Sequence, residues 1–366
     1  MSMAGSRSPQ RLIDRSQRNA HGAMMSLMAG CARRHWAWFS ALIVAVGLFG
    51  CGGGGDDDSN GPAQEATFAV GTRFETFVDR SRPTNATADS EARPQRTFET
   101  LVTYPAAGSP GRPPSSGAPA SPGGPFPLVV FSHGSGVSTP ARYELLINAW
   151  AAAGYVIAAP SYPLSSTSLP GASGDVVNQP ADVSFLISEM IRLGANPASP
   201  YTGLVDGERI AVAGHSLGAV TTLGVAFNGC CVDRRIDAGI VMAGGAAFFP
   251  PEQWFGTIRT PILVVHGDDD RIVRIADGQK VFADALPPKA MLTVFGGDHN
   301  RPYGGSLATT ENPERLGATL NGPTQIVNTT AVAFLDRFLK DRKDALARLR
   351  TVLLDEVGVK LEVIEQ

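Results

Sequence analysis

From residue 128 onward the chain repeats one pattern. Short, almost unbroken apolar runs end in Gly or Pro: "PLVVFSHG", "YVIAAP", "RIAVAGHS", "AGIVMAGG", "PILVVHG" and "AMLTVFGG". Runs of this length, apolar at successive positions, are those of strands buried on both faces of a parallel sheet. The segments between them carry helical periodicity and predict helices over residues 140 to 153, 176 to 193, 217 to 227, 277 to 285 and 324 to 341. Strand and helix in alternation define the α/β class, a doubly wound, mostly parallel sheet with helices on both faces. Two earlier runs, "ATFAVGTRFETFVD" and "RTFETLVTYPA", alternate apolar with polar residues. They predict peripheral, antiparallel strands with one wet face. Residues 105 to 127 hold eight prolines and five glycines. That composition builds no packed structure, so an exposed loop is expected there.

The first 66 residues follow a different pattern. Six arginines between Arg7 and Arg34 precede "WAWFSALIVAVGLFG", an apolar run short for a membrane span and suited to a signal-peptide core. It ends at Cys51, and a Gly- and Asp-rich stretch follows. Residues 1 to 50 therefore read as a signal peptide with Met24 and Met25 as alternative starts, 51 to 66 as a flexible spacer, and 67 to 366 as one domain. The Leu48-Phe49-Gly50-Cys51 box resembles a bacterial lipoprotein signal, which implies a lipid on Cys51 and an exported protein held at a membrane. Overall, 43% apolar residues, 18% charged residues and a net charge of -3 describe an ordinary globular chain and give no reason to expect nucleic-acid binding. Outside the leader and Cys51 only Cys230 and Cys231 remain; neighbours in sequence make a poor bridge, so buried free thiols are expected.

Ligands of open parallel sheets sit beyond the carboxyl ends of the strands. Chemistry-bearing residues fall at those positions: His133-Gly134-Ser135-Gly136 after the first buried run, Ser216 inside Gly-His-Ser-Leu-Gly, Asp268-Asp269-Asp270 after "PILVVHG", and Asp298-His299 after "AMLTVFGG". A serine flanked by glycines can be no more than a capped turn between strand and helix. Joined to a glycine-rich loop upstream and to Asp and His downstream, in that order, it reads as the nucleophile elbow of a serine hydrolase. Ser216 would be the nucleophile, His299 the general base, and the amide of Leu217 one oxyanion donor. His133, His215 and His266 lie at three different strand ends without metal-site spacing, so they are expected to pack and hydrogen-bond beneath the site, and neither a metal nor any other cofactor is required.

The motifs "FSHGSG", "GHSLGA", "HGDDDRIV" and "GGDHN" resemble those of α/β-hydrolases of the dienelactone hydrolase and platelet-activating-factor acetylhydrolase kind, over residues 67 to 341. The resemblance implies the α/β-hydrolase fold and a triad whose acid lies in a Gly-x-x-Asp-x-x-Val motif. Gly267, Asp270 and Val273 match it, so Asp270 is the acid, with Asp268 and Asp269 as turn or cap residues and Asp298 a distant alternative. It places the second oxyanion amide at Ser135, with Gly136 as the alternative.

The expected activity is hydrolysis of carboxylic esters, short-chain or phospholipid-like, through an acyl-enzyme. Tyr162, Pro163, Leu164, Phe248, Phe249 and Trp254 are expected near the pocket, and no long insertion offers a large lid. A cutinase-like polyester hydrolase, a peptidase and a surface binding protein without catalysis are the rival readings.

Overall fold

The computed structural model describes residues 68–87, 90–136, 140–165, 172–303, 322–353 and 358–366. The expected signal segment, the lipidation residue Cys51 and the spacer lie outside the described residues.

The elements, in chain order, are β1 (Ala69–Asp79), β2 (Arg96–Ala106), β3 (Ser115–Ser116), β4 (Phe126–Ser132), α1 (Glu144–Ala152), β5 (Val156–Ser161), α2 (Gln179–Ala195), β6 (Val205–His215), α3 (Leu217–Phe227), β7 (Ala238–Met242), β8 (Ile262–Gly267), α4 (Ile275–Asp284), β9 (Lys289–Val294), α5 (Pro323–Leu339), α6 (Ala345–Leu353) and β10 (Val359–Ile364). Among the described residues the strands join in one sheet of order β10-β9-β8-β7-β6-β4-β5-β2-β1-β3. The run from β5 through β4, β6, β7 and β8 to β9 is parallel. Antiparallel pairs close the two ends, β1 on β2 and β2 on β5 at one, β10 on β9 at the other.

Side chains of the parallel strands alternate between two cores because successive residues of a strand face opposite ways. Val129 and Phe131 of β4 join Leu146 and Trp150 of α1 and Val327 and Phe334 of α5 on one face. Leu128 and Val130 join Leu186 of α2, Leu223 of α3 and Val281 of α4 on the other. That two-sided burial explains why the sequence there shows unbroken apolar runs and no alternation.

The chain leaves β4 for β5 on one side and places β6 on the other. The order of strands therefore reverses at β4, and sheets of this kind bind their ligands beyond the carboxyl ends of the strands at such a reversal, here those of β4 and β6.

Three differences from the sequence reading have physical causes. The predicted helix at 176 begins as a 3₁₀ turn, Ala172–Asn178, and becomes α-helical at Gln179, where Pro180 occupies the first turn and needs no amide partner. The sequence pattern predicts no element after residue 341. Yet Leu346, Leu349 and Leu353 form a buried stripe on α6, and "VKLEVI" pairs with β9 as an edge strand. Cys230 and Cys231 are not buried thiols: they form a disulfide with each other. They lie in the turn after α3, with Cys230 exposed and Cys231 half-buried, so no core packing keeps the two sulfurs apart or out of reach of oxidant.

The 105 to 127 segment is largely exposed. It is attached through β3, paired with Gly71 and Thr72 of β1, through the Ala106–Ala120 bridge, and through the Tyr104 hydroxyl, which donates to the Ala118 carbonyl at 2.7 Å. Among the described residues no helix is long and apolar enough to cross a membrane.

Candidate active site

The turn between β6 and α3 answers why one serine sits between two glycines. Ser216 has φ 56 and ψ -118, a conformation sparsely populated for residues with a side chain. A Cβ on Gly214 would lie 2.1 Å from the Gly218 carbonyl oxygen, and one on Gly218 would lie 2.0 Å from the Ser132 carbonyl oxygen. Glycine is required at both places by close approach of backbone. Ser216 makes no side-chain cap bond to α3, which removes the capped-turn reading. Its amide instead donates to the Met242 carbonyl at 2.9 Å, tying the elbow to the end of β7.

The freed hydroxyl meets His299 Nε2 at 2.9 Å. On the far side of the ring, His299 Nδ1 lies 2.8 Å from Asp270 Oδ2. Both Asp270 and His299 are buried. Asp270 Oδ1 accepts the amides of Ile272 and Val273, each at 2.9 Å. Burial pushes the Asp270 carboxyl up, but hydrogen bonds from His266, His299 and those two amides outweigh it and hold the group well below the usual carboxylate range. An ionised Asp270 can only accept, so Nδ1 carries the proton and Nε2 presents its lone pair to the serine hydroxyl. Three residues separated by up to 83 positions thus meet with the donor and acceptor order that nucleophile activation needs.

The neighbouring acids have other work. Asp268 Oδ1 accepts the Gly296 amide at 2.5 Å, bridging the ends of β8 and β9. Asp269 pairs with Arg271 at the surface. Asp298 accepts the amides of Asn300 and Arg301, each at 2.8 Å, and forms an Asx turn, with no contact to the imidazole beside it.

The Leu217 amide follows the serine directly, and the Gly134 loop packs against it, a Cβ on Gly134 falling 3.3 Å from Ser216 Cβ. Leu217 is the first residue of α3, so its N–H has no acceptor within the helix. On the opposite side, the Gly134 amide donates to Tyr143 Oη at 3.1 Å, which commits it elsewhere. The next amide is that of Ser135. Its direction is fixed by His133: the Tyr162 amide donates to His133 Nε2 at 3.1 Å, so Nδ1 carries the proton and donates to the Gly134 carbonyl at 2.6 Å. That carbonyl and the Ser135 N–H belong to one planar peptide, and holding one end aims the other. Gly136, at φ 82, turns the loop away one residue later.

The three glycine-flanked histidines are interior hydrogen-bonding groups. His133 is lowered to about 4, burial driving it down against the Gly134 bond, and is neutral. His266 Nε2 donates to the Val273 carbonyl at 2.9 Å and lies 3.5 Å from Asp270 Oδ2. His215 lies directly under the triad, its ring centroid 4.9 Å from that of His299.

The expected pocket residues divide. Tyr162 does not line a pocket: it is fully buried, its hydroxyl 2.8 Å from Ser132 Oγ, because β5 ends under the oxyanion loop. Leu164 is buried too. Phe249 packs with Leu217, Val220 and Val176, joined by Trp254 and Cys231, and this apolar cluster begins one residue from the nucleophile. Phe248 is exposed.

Val176 carried no signal in the sequence, since its place depends on the 3₁₀ turn. That turn is pinned by Arg96, which donates to Asp175 at 3.0 and 2.8 Å and to Asp182 at 2.7 and 2.6 Å.

Sheet order, elbow and hydrogen-bonded Ser, His and Asp define an α/β-hydrolase. Comparisons agree. A family model described as chlorophyllase matches residues 95–242, from β2 to β7, which includes Ser216 but neither Asp270 nor His299. A ferulic acid esterase from Streptomyces cinnamoneus shares the fold at a TM-score of 0.55 and 22% identity, covering 77% of this chain and 93% of that one. No curated protein matches the sequence. The chain has the α/β-hydrolase fold, and serine ester hydrolase is the class that site and family match support together.

Proposed function

We propose that the protein hydrolyses carboxylic esters through an acyl-enzyme on Ser216. The observation that carries this reading is the Ser216–His299–Asp270 chain of hydrogen bonds at 2.9 and 2.8 Å, on a serine held at positive φ. His299 Nε2 takes the hydroxyl proton as Oγ attacks the carbonyl carbon. The oxyanion forms between the amides of Leu217 and Ser135, where fixed dipoles stabilise the charge without reorganising. Collapse breaks the ester C–O bond, and His299 returns the proton to the departing alkoxide. Water, deprotonated by the same imidazole, then releases the acid and restores Ser216.

The cluster of Val176, Leu217, Val220, Phe249 and Trp254 supports an apolar acyl or aromatic group beside the nucleophile, and short-chain or phospholipid-like esters fit it. The test is a p-nitrophenyl ester series read with a fluorophosphonate probe. Wild type should turn over esters and take label, and Ser216→Ala should do neither while keeping its circular dichroism. A Ser216→Ala protein that retains the wild-type rate would sink the assignment.

A polyester-hydrolase reading has its own support. Val177, Phe248 and Ile272, 49%, 57% and 70% exposed, lie on connections that follow the carboxyl ends of β5, β7 and β8, as an enzyme meeting a flat apolar surface would need. Release of soluble products from a polyester film, faster than turnover of p-nitrophenyl acetate, would favour it.

We further propose export and lipid attachment at Cys51, supported by the basic and apolar segments before that cysteine and by the Cys230–Cys231 disulfide, which suits an oxidising compartment. Metabolic labelling with a fatty acid should mark wild type and leave Cys51→Ser unmarked.

A further inference from the structure

His215 precedes the nucleophile and Tyr143 opens α1, and neither touches the hydroxyl of Ser216. Both are almost completely buried. Burying an imidazole and a phenol is costly unless their polar atoms are matched, so their partners say what they are for.

His215 Nε2 lies 2.6 Å from the backbone carbonyl of His299, an atom that can only accept. Nε2 therefore carries the proton. Burial, and then the nearby His299 and Arg142, hold His215 down at about 3, so the ring is neutral and Nδ1 is an acceptor. Tyr143 Oη stands 2.9 Å from Nδ1 and must donate to it. The same phenolic oxygen accepts the amide of Gly134 at 3.1 Å. Every direction is then fixed: Gly134 N–H to Tyr143 Oη, Tyr143 O–H to His215 Nδ1, His215 Nε2–H to the His299 carbonyl.

The chain begins at the peptide before the Ser135 amide, passes through the residue bonded to Ser216, and ends on the backbone of the base. Its members are held sideways as well. The His215 ring lies 4.8 Å from that of Tyr303, and Phe131 lies 4.9 Å from Tyr143. A Cβ on Gly134 would come within 3.2 Å of Tyr143 Oη and 3.3 Å of Ser216 Cβ, so the loop rests directly against both.

We propose that Tyr143 and His215 are positioning residues which couple the oxyanion loop to the catalytic base, so that the Ser135 amide and the His299 imidazole keep one spacing across the nucleophile. The inference rests on the serine-esterase reading and extends it to two residues that do no chemistry. Phenylalanine at 143 and an apolar residue at 215 would fill the same space, but they would leave the Gly134 amide and the His299 carbonyl without their partners.

Two conservative variants cut the chain at different links. Tyr143→Phe keeps the ring and deletes the hydroxyl. His215→Asn keeps an acceptor for Tyr143 near the Nδ1 position but is too short to reach the His299 carbonyl. The measurements are kcat and KM for p-nitrophenyl acetate, the rate at which a fluorophosphonate labels Ser216, and the thermal midpoint.

Each variant should lower kcat and labelling rate together by about 10-fold, with KM within about twofold of wild type, because a misplaced amide or imidazole costs the transition state rather than binding. The double variant should fall no more than about twofold below the worse single, since both cuts open one chain. If Tyr143→Phe fails to fold, His215→Asn decides by the same split. The proposal is overturned if the folded single variants keep kcat within twofold of wild type, if KM rises while kcat stays, or if the two losses multiply in the double. A wild-type protein that takes no label overturns the esterase reading, and this inference with it.

Discussion

Asp270 and Asp182 are both buried carboxylates satisfied by several donors, one beside an imidazole and the other beside a guanidinium. Asp270 takes two amides and His299. Asp182 takes the Arg96 fork at 2.7 and 2.6 Å, and the same guanidinium also holds Asp175. Burial alone would push the Arg96 guanidinium down, but its bonds to Asp175 and Asp182 outweigh that and raise it, so it stays charged at any working pH. Around Asp270 the partner can change its protonation and has a hydroxyl on its other side. A buried acid becomes part of a reaction when its partner can give up a proton, and part of the scaffold when it cannot. The two clusters still cooperate, since Arg96 fixes the turn that places Val176 against Leu217.

The largest expected effect falls on the imidazole side. Asp270→Asn keeps shape but offers an amide where a carboxylate oriented the ring, so the wrong tautomer of His299 becomes available. Turnover should drop on the order of 10³- to 10⁴-fold, with KM little changed. The same change at Asp182 should leave the rate of Ser216 labelling within about threefold in folded protein, because no proton moves there. Steady-state kinetics and labelling on both variants check the contrast, and equal losses at the two sites would erase it.

The scaffold side should show in stability. Arg96→Met removes the partner Asp175 and Asp182 share and leaves Asp175 with the Asn178 side-chain amide and Asp182 with Arg82. Removing one side of a buried pair costs about 3–5 kcal/mol, and these remaining partners place the loss at the lower end. Urea unfolding should show that loss, and the protein that remains folded should still take the probe. Its preference among ester chain lengths should shift, because the 3₁₀ turn carrying Val176 has lost its pin. An Arg96→Met protein with wild-type stability and wild-type selectivity would make the cluster incidental.

The two clusters were unequally legible in the sequence. Ser216, Asp270 and His299 stand directly after buried strands, where a parallel sheet gathers its chemistry, and each lies in a short motif whose glycines are forced by backbone contact. Order along the chain and position after a strand point to Ser216 and His299, while the Gly-x-x-Asp-x-x-Val motif that the family resemblance implies separates Asp270 from Asp268 and Asp269. Arg96, Asp175 and Asp182 carry no local pattern: they come from a strand start, a 3₁₀ turn and a helix, and only the antiparallel placing of β2 beside β5 brings them together. Tyr143 was hidden for a similar reason, since an aromatic residue at the head of a helix reads as core. The C-terminal elements were legible in principle, with a leucine stripe and an alternating "VKLEVI", but six-residue edge strands and nine-residue helices carry weak periodic signals. Adjacency in sequence argues against the disulfide, and the exposed turn that lets the two sulfurs meet carries no sequence signal of its own.

The smallest effect is one of pH. His133 and His215 are lowered to about 4 and about 3, burial being the first cause in each, whereas the unfolded chain holds them near 6.5. Between those values the unfolded state binds protons that the folded state does not, so stability must fall as pH falls through 6.5. For two such groups the loss between pH 7 and pH 6 is about 1 kcal/mol. Asp270 has the opposite geometry of charge: its depressed carboxyl contributes stability that persists until the pH drops below the ordinary carboxylate range, and it adds no slope in this window. Arg96 adds none either. Denaturation midpoints at pH 7 and pH 6 should therefore separate, and the separation should shrink by about half in His215→Asn, which has one fewer buried imidazole to protonate on unfolding. An unchanged separation in that variant would show that the slope comes from elsewhere, and that the imidazole beneath the triad is not the neutral, hydrogen-bonded group its contacts describe.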